Sequence, residues 1–498
     1  MESTDRISTG IPGIDEILCG GLLPASSYLL VGGPGTGKTV LSLRFLMEGA
    51  RRSEKCLLIS FGESERRVRR DAASFGWSLD GIDFEDFSGI GSGRVPAGEY
   101  KVFRLSDVEG EPVWGRLRET IAKYEPARLV IDSVSFLKFL SADEFQYRRQ
   151  LQSLLAQLSG QGCVCILLVS PLELEKDATL AFAVDGVVRL ERILSENRLV
   201  EIRTLEVEKF RGSSYLGGRH AMRISESGIS LWPHRTEPIA GAGTPTGLIT
   251  SGIEGVDELM GGGLPTGSST LIAGPAGAGK TTLGVQLLAS AAASGLKGAL
   301  YSFEESIESI IRRCRGLSIP LEEHIRENRI LMRQVNPMEV YPDEFAETVR
   351  RDIEQQRCDV ILLDSLRGYE MALETFGNAV ANVQNLIQLV RRLGRSLIVI
   401  SEQELVTGNL QISRAGVSYV SDNILLLRLA EYRGEVIRLI VCLKKRGGAH
   451  QTAIRELKFS NEGISVGRTF KELSGLLTGV PVLGAAPQGP EHKAASDV

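Results

Sequence analysis

The sequence predicts an α/β fold used twice in tandem, each copy a mostly parallel twisted sheet with helices on both faces. Three observations predict it. First, the chain repeats itself: "TGIPGIDEILCGG" at Thr9 returns as "SGIEGVDELMGGG" at Ser251, and "LLVGGPGTGKT" at Leu29 returns as "LIAGPAGAGKT" at Leu271. Second, apolar runs of strand length alternate with helical stretches within each copy, which implies parallel strands covered on both faces. Third, each copy carries a glycine-rich loop between a predicted strand and a predicted helix, the context such a loop needs for phosphate chemistry.

The elements follow in order. "SYLLVGG" reads as a strand and "KTVLSLRFLMEGARR" as the helix after the loop. "KCLLISF" is the next strand and "ERRVRRDAASF" the next helix. "ARLVIDS" and "GCVCILLVS" are further strands, with the helix "YRRQLQSLLAQLSGQ" between them. The boundary falls in a stretch rich in Gly, Pro, Ala and Thr. The expected domains are residues 1–238 and 247–467, with a linker at 239–246 and a mobile tail at 468–498.

Composition narrows the function classes. The chain has 498 residues, 43% hydrophobic and 24% charged, which suits two globular cores. A net charge of −5 disfavours a broad nucleic-acid surface. The N-terminus has no apolar segment and no run approaches bilayer length, so a cytoplasmic location without membrane contact is expected. The seven cysteines form no C-x-x-C pair, and Cys163 and Cys165 read as buried small hydrophobes on one strand face. The five histidines show no ligand spacing, so no zinc site is expected.

The motifs carry the chemistry. Gly32-Gly33-Pro34-Gly35-Thr36-Gly37-Lys38-Thr39 and Gly274-Pro275-Ala276-Gly277-Ala278-Gly279-Lys280-Thr281, followed by Thr282, both fit G-x-x-x-x-G-K-[ST]. Glycines let successive backbone N–H groups face phosphate oxygens, and the following helix adds its positive end. Lys38 and Lys280 are expected on the β- and γ-phosphates of a nucleotide, and Thr39 and Thr281 on Mg²⁺. Asp132 and Asp364 each end an apolar strand before a serine and are candidate Mg²⁺ residues. "SFGES" and "SFEES" end another strand, which makes Glu304 and Glu305 candidates to polarise an attacking water, with Glu63 alone in the first copy because Gly62 replaces its neighbour. Lys209-Phe210-Arg211 and Lys444-Lys445-Arg446 place two cations on one face of a strand end, suited to a phosphate from a neighbouring subunit.

Together with "VSDNILLLR" and "KKRGGAH", these motifs closely resemble the KaiC-like family over residues 5–480. The resemblance implies two RecA-like P-loop NTPase domains, ATP and Mg²⁺ as cofactors, and a two-tiered homohexamer with ATP at subunit interfaces. It implies that Glu304 and Glu305 are catalytic, with Glu63 as the one match in the first domain. It implies that Lys444, Arg446 and His450 contact nucleotide across the interface, as do Lys209 and Arg211, and that a regulatory protein partner binds the C-terminal tail.

Three departures gather in the first copy: Gly62, Pro171 opposite Glu402, and Tyr215 in place of the histidine. The expectation is an ATP hydrolase whose second domain does most of the turnover, the first binding ATP mainly to hold the ring. The alternative is a serine/threonine autokinase in clock or stress signalling, with Ser418 as acceptor. A DNA-acting motor is disfavoured by charge and by the lack of an aromatic–basic segment, and a nucleotide-reporting scaffold overlaps the ATPase reading.

Overall fold

A computed structural model of the chain describes residues 6–87, 111–139, 141, 144–176, 179–194, 201–235, 247–373, 379–402, 421–470, 473–474, 476 and 482–483. The expected linker at 239–246, most of the expected tail and Ser418 lie outside the described residues. The chain forms two compact units, Met1–Arg235 and Thr236–Val498.

The first unit is built on nine strands: β1 (Ser27–Gly32), β2 (Cys56–Ser60), β3 (Ile82–Asp86), β4 (Arg128–Asp132), β5 (Val164–Val169), β6 (Gly186–Leu194), β7 (Glu201–Phe210), β8 (Arg219–Ser225) and β9 (Gly228–Trp232). They lie in the order β3-β2-β4-β5-β1-β6-β7-β8-β9. The pairs from β3 to β6 are parallel, and those from β6 to β9 antiparallel.

The second unit opens with a small hairpin, β10 (Leu248–Ile249) and β11 (Leu264–Pro265). Its main sheet holds β12 (Ser269–Gly274), β13 (Gly298–Ser302), β14 (Ile330–Gln334), β15 (Val360–Asp364), β16 (Ser396–Glu402), β17 (Asn423–Tyr432), β18 (Glu435–Lys445), β19 (Arg455–Ser460) and β20 (Gly463–Thr469). Its order, β14-β13-β15-β16-β12-β17-β18-β19-β20, repeats that of the first sheet strand for strand. The fold is the expected pair of α/β domains with mostly parallel central strands.

Alternation along each strand sends its side chains to two separate cores. In β1, Leu30 joins a core with Phe45 and Leu46 of the helix Lys38–Arg51. Leu29 and Val31 join another with Leu117 and Leu154, from the helices on the opposite face. In β12, Ile272 and Leu271 divide in the same way. Continuous apolar strands are therefore required, because both faces are dry. Each buried aliphatic side chain contributes roughly 1.5–3 kcal/mol to folding. Cys163 and Cys165 are both buried in the same core, as expected of two small hydrophobes.

This topology fixes where chemistry can occur. The strand bearing the first loop, β1, lies beside β5, and β5 lies beside β4, which ends in Asp132. All run in parallel, so their C-terminal ends share one edge. The same holds for β12, β16 and β15. Ligands of open α/β sheets bind at that edge.

Candidate functional site

Each glycine-rich loop leaves its strand and turns into a helix, Lys38–Arg51 or Lys280–Ala293. The residue before each helix, Gly37 or Gly279, has a positive φ of 101° or 96°. A side chain at Gly279 would also strike Phe459, with its Cβ 2.3 Å from the ring. The loop's backbone geometry and its closeness to the sheet both require glycine there.

The two lysines fold back over their own loops. Lys38 Nζ donates to the carbonyl oxygens of Gly32 at 2.5 Å and Gly33 at 3.0 Å, and Lys280 Nζ donates to Pro275 O at 2.8 Å. Burial lowers the pKa of both lysines. Asp132 and Glu173 oppose that shift at Lys38; Glu402, Asp364 and Glu304 oppose it at Lys280.

Thr39 Oγ1 lies 3.5 Å from Asp132 Oδ2 as donor to acceptor, and the Thr281 hydroxyl lies beside Asp364 and favours its charged form. Burial pushes the Asp364 carboxyl up to about 6; the Thr281 hydroxyl works against this, and Glu304 and Glu305 push it further up. Asp132 is raised by burial and by Glu63, against Lys38 and Thr39. A hydroxyl and a carboxylate, buried at Asp364 and half-buried at Asp132, thus meet at each sheet edge, with further acids close by. Hard oxygen donors in a negative field fit Mg²⁺, which keeps waters and phosphate oxygens as its remaining ligands. Among the described residues no group of three or more His, Cys, Asp or Glu gathers as a metal site.

The acidic stretches sit where their strands meet the aspartate strand. Phe61 N donates to Asp132 O and Phe303 N to Asp364 O, each at 2.7 Å. From there the units differ. Ser365 Oγ donates to Glu304 Oε1, which ties that acid to the residue after Asp364. Glu305 turns the other way and accepts from Ser309 Oγ at 2.7 Å and Arg313 at 2.8 Å. In the first unit Gly62 supplies no carboxylate, and Glu63 lies 3.5 Å from Arg67 of the helix that follows, Glu65–Ala73. Of the paired acids, Glu304 is therefore the one joined to the aspartate strand, and Glu305 is held by the helix Ile307–Gly316.

The basic strand ends lie elsewhere. Lys209 pairs with Val187 near the start of β6, and Arg211 N donates to Asp185 O at 2.9 Å. The start of β6 lies beside Tyr28, at the N-terminal edge of the sheet. By the ~3.3 Å rise per residue, that edge is on the order of 15 Å from the loop that ends β1. Lys444, Arg446 and His450 follow the same pattern: Lys445 pairs with Asn423, which pairs with Thr270 at the start of β12. Lys209 Nζ is capped by the carbonyls of Ala181 and Val184, and Lys444 Nζ by Ser421 O at 2.7 Å. Neither unit brings these cations to its own glycine-rich loop.

Two residues at that edge were not singled out in the sequence. Asp185 Oδ2 accepts from Ser27 N at 2.8 Å, and Asp422 Oδ2 from Ser269 N at 2.9 Å and Ser269 Oγ at 2.9 Å. Each aspartate fastens the start of the strand that carries the loop. Asp422 also lies 3.7 Å from Arg446. Their signal was available in the repeat itself, as Val184-Asp185-Gly186 against Ser421-Asp422-Asn423 ahead of two apolar strands.

A family model described as "ATPase: KaiC" matches residues 7–236 and again residues 249–470. The chain belongs to the KaiC ATPase family. Its two matched segments correspond to the two sheets, and the family assignment carries nucleotide binding with it. The chain is 26% identical to the circadian clock protein KaiC3 of Synechocystis sp. (strain PCC 6803), over 97% of this chain and 96% of that protein. It is 28% identical to the circadian clock oscillator protein KaiC of Synechococcus elongatus (strain PCC 7942), over 96% of this chain and 92% of the relative. A KaiC of Prochlorococcus marinus (strain MIT 9313) is also 28% identical, over 96% and 95%. Among the described residues no helix is long and apolar enough to cross a membrane.

Proposed function

We propose that this KaiC-family ATPase is a ring of subunits, most simply a two-tiered homohexamer, that binds Mg-ATP between neighbours and hydrolyses it chiefly in its second unit. One observation carries the reading. Lys444 and Arg446 sit at the sheet edge opposite their own loop, so these cations reach a γ-phosphate only on another subunit. The same placement of Lys209 and Arg211 supports it for the first unit.

In this reading the backbone of residues 32–39 and 274–282 holds the phosphates, with Lys38 and Lys280 released from their loop carbonyls to meet them. Thr39 with Asp132, and Thr281 with Asp364, would hold Mg²⁺, which shields phosphate charge. Glu304 orients the attacking water, and Ser365 keeps its carboxylate in place. Glu305, bonded to Ser309 and Arg313, fixes the turn that presents Glu304. Gly62 denies the first unit a carboxylate at the matching position, and this supports the smaller share of turnover assigned there.

Mixing two defective proteins tests the shared site. Lys280→Ala lacks the loop lysine, and Arg446→Ala lacks the cation offered to a neighbour. Each is expected to have low second-unit turnover alone, and mixed rings are expected to regain part of it, because some interfaces then carry both intact halves. No gain under any mixing condition would count against ATP at subunit interfaces. For the autokinase alternative, intact mass after incubation with Mg-ATP reads phosphate at Ser418 or elsewhere directly.

A further inference from the structure

The first unit has lost acids at two strand ends, Gly62 and Pro171, yet the edge beside its loop is not empty of carboxylate. Proline at 171 starts a short helix, Pro171–Lys176, directly after β5. The helix carries Glu173 back over the strand end. Its Oε2 accepts from the Ser135 hydroxyl and from Ser170 N at 3.4 Å. Ser135 is buried and lies three residues after Asp132. Strand β5 emerges between β4, which bears Asp132, and β1, which bears the loop. Glu173 is thus held at the centre of the edge.

A comparison between the units gives this meaning. In the second unit a serine after the strand-end aspartate, Ser365, clamps an acid, Glu304, that comes from the end of β13. In the first unit Ser133 is the counterpart of Ser365 in sequence, and a different serine two residues further on, Ser135, clamps an acid that comes from the end of β5. Each unit thus has a serine–acid clamp beside its aspartate, built from a different serine and an acid from a different strand end. The charge of Glu173 is felt by Lys38, as those of Glu402 and Glu304 are felt by Lys280. Both bonds to Glu173 fall on one oxygen, and the other accepts none among the described residues.

We propose that Glu173 is the water-orienting carboxylate of the first nucleotide site, standing in for the acid missing at Gly62. The proposal rests on the nucleotide-site reading above. The water oxygen bonds to the γ-phosphorus as the bond to the bridging oxygen breaks and ADP leaves. The water's proton passes to the Glu173 carboxylate and on to the released phosphate. Ser135 and the Ser170 N–H hold the carboxylate oriented throughout.

The test uses the full chain carrying Lys280→Ala, so that turnover reports the first site, with Mg-ATP as substrate and a fluorescent ATP analogue for binding. Glu173→Gln keeps the hydrogen-bonding shape and is expected to lower kcat by about tenfold or more, with KM changed less than about threefold. Glu173→Asp is expected to recover part of the loss, and unchanged thermal melting of both variants would exclude a folding defect as its cause. An unchanged kcat in Glu173→Gln would overturn the proposal. So would analogue binding by the Lys280→Ala protein without any turnover, since the site would then bind but not hydrolyse. No analogue binding at all would instead sink the nucleotide-site reading itself.

Discussion

Single side chains distinguish the two units. Glu304 and Gly62 occupy matching positions, and a Cβ built at Gly62 meets nothing within 4 Å. Ser133 follows Asp132 as Ser365 follows Asp364, so a hydroxyl partner is already in the sequence. Gly62→Glu is therefore expected to raise first-site turnover, measured in a Lys280→Ala background, towards a ceiling of about 10²-fold for a restored acid–base group. Unchanged or lowered turnover in a folded variant would mean that the missing acid does not limit the site. At this scale the loops, the aspartates and the paired glutamates were legible because each is a fixed spacing in one stretch of sequence. The Ser365–Glu304 and Ser135–Glu173 clamps were not, because each joins residues that follow different strands and lie far apart in the sequence. Glu173 was hidden further by Pro171, which reads as a lost acid and is the start of the helix that supplies another.

At the scale of elements, the strand carrying each loop is fastened at its start by an aspartate. Burial alone would raise Asp422. The Ser269 N–H and hydroxyl and the Arg391 guanidinium, 2.5 Å away, outweigh it and hold the carboxyl below its ordinary value. A depressed carboxyl contributes stability above its unfolded pKa of about 3.9, and that contribution is lost as pH falls through the lower folded value. Asp422→Asn is expected to lose about 1–3 kcal/mol at neutral pH, with a shallower loss of stability on acidification below about pH 4 than the parent. Urea unfolding across that range measures both, and parallel acid limbs in parent and variant would contradict the assignment. The parallel strands were plain in the sequence as continuous apolar runs. The antiparallel strands β7 to β9 and β18 to β20 were less so, since they mix buried and exposed positions. Their importance is positional: they carry Lys209 and the Lys444 segment to the edge away from the loop.

For the whole molecule, the duplication was the most legible feature, because Lys38 and Lys280 stand 242 residues apart with the other motifs in the same order. What one copy of the sequence cannot display is a site completed by a second subunit. The sheet order puts loop and cations on opposite edges of each unit, the separation on which the proposed shared site rests. The proposed ring would close that separation with one repeated interface. The two tiers would then share one architecture and differ in chemistry, the second with Glu304 from the end of β13 bonded to Ser365 beside the aspartate strand and the first with its acid brought in by the helix Pro171–Lys176.

The division of labour is tested most directly by steady-state Mg-ATP turnover of two full-length variants, Glu304→Gln and Glu63→Gln. The Glu304 change is expected to remove most of the turnover, by a factor on the order of 10² if the acid works as a base, and the Glu63 change to leave most of it. Intact turnover in Glu304→Gln together with its loss in Glu63→Gln would place the hydrolytic work in the first unit and contradict the proposed assignment.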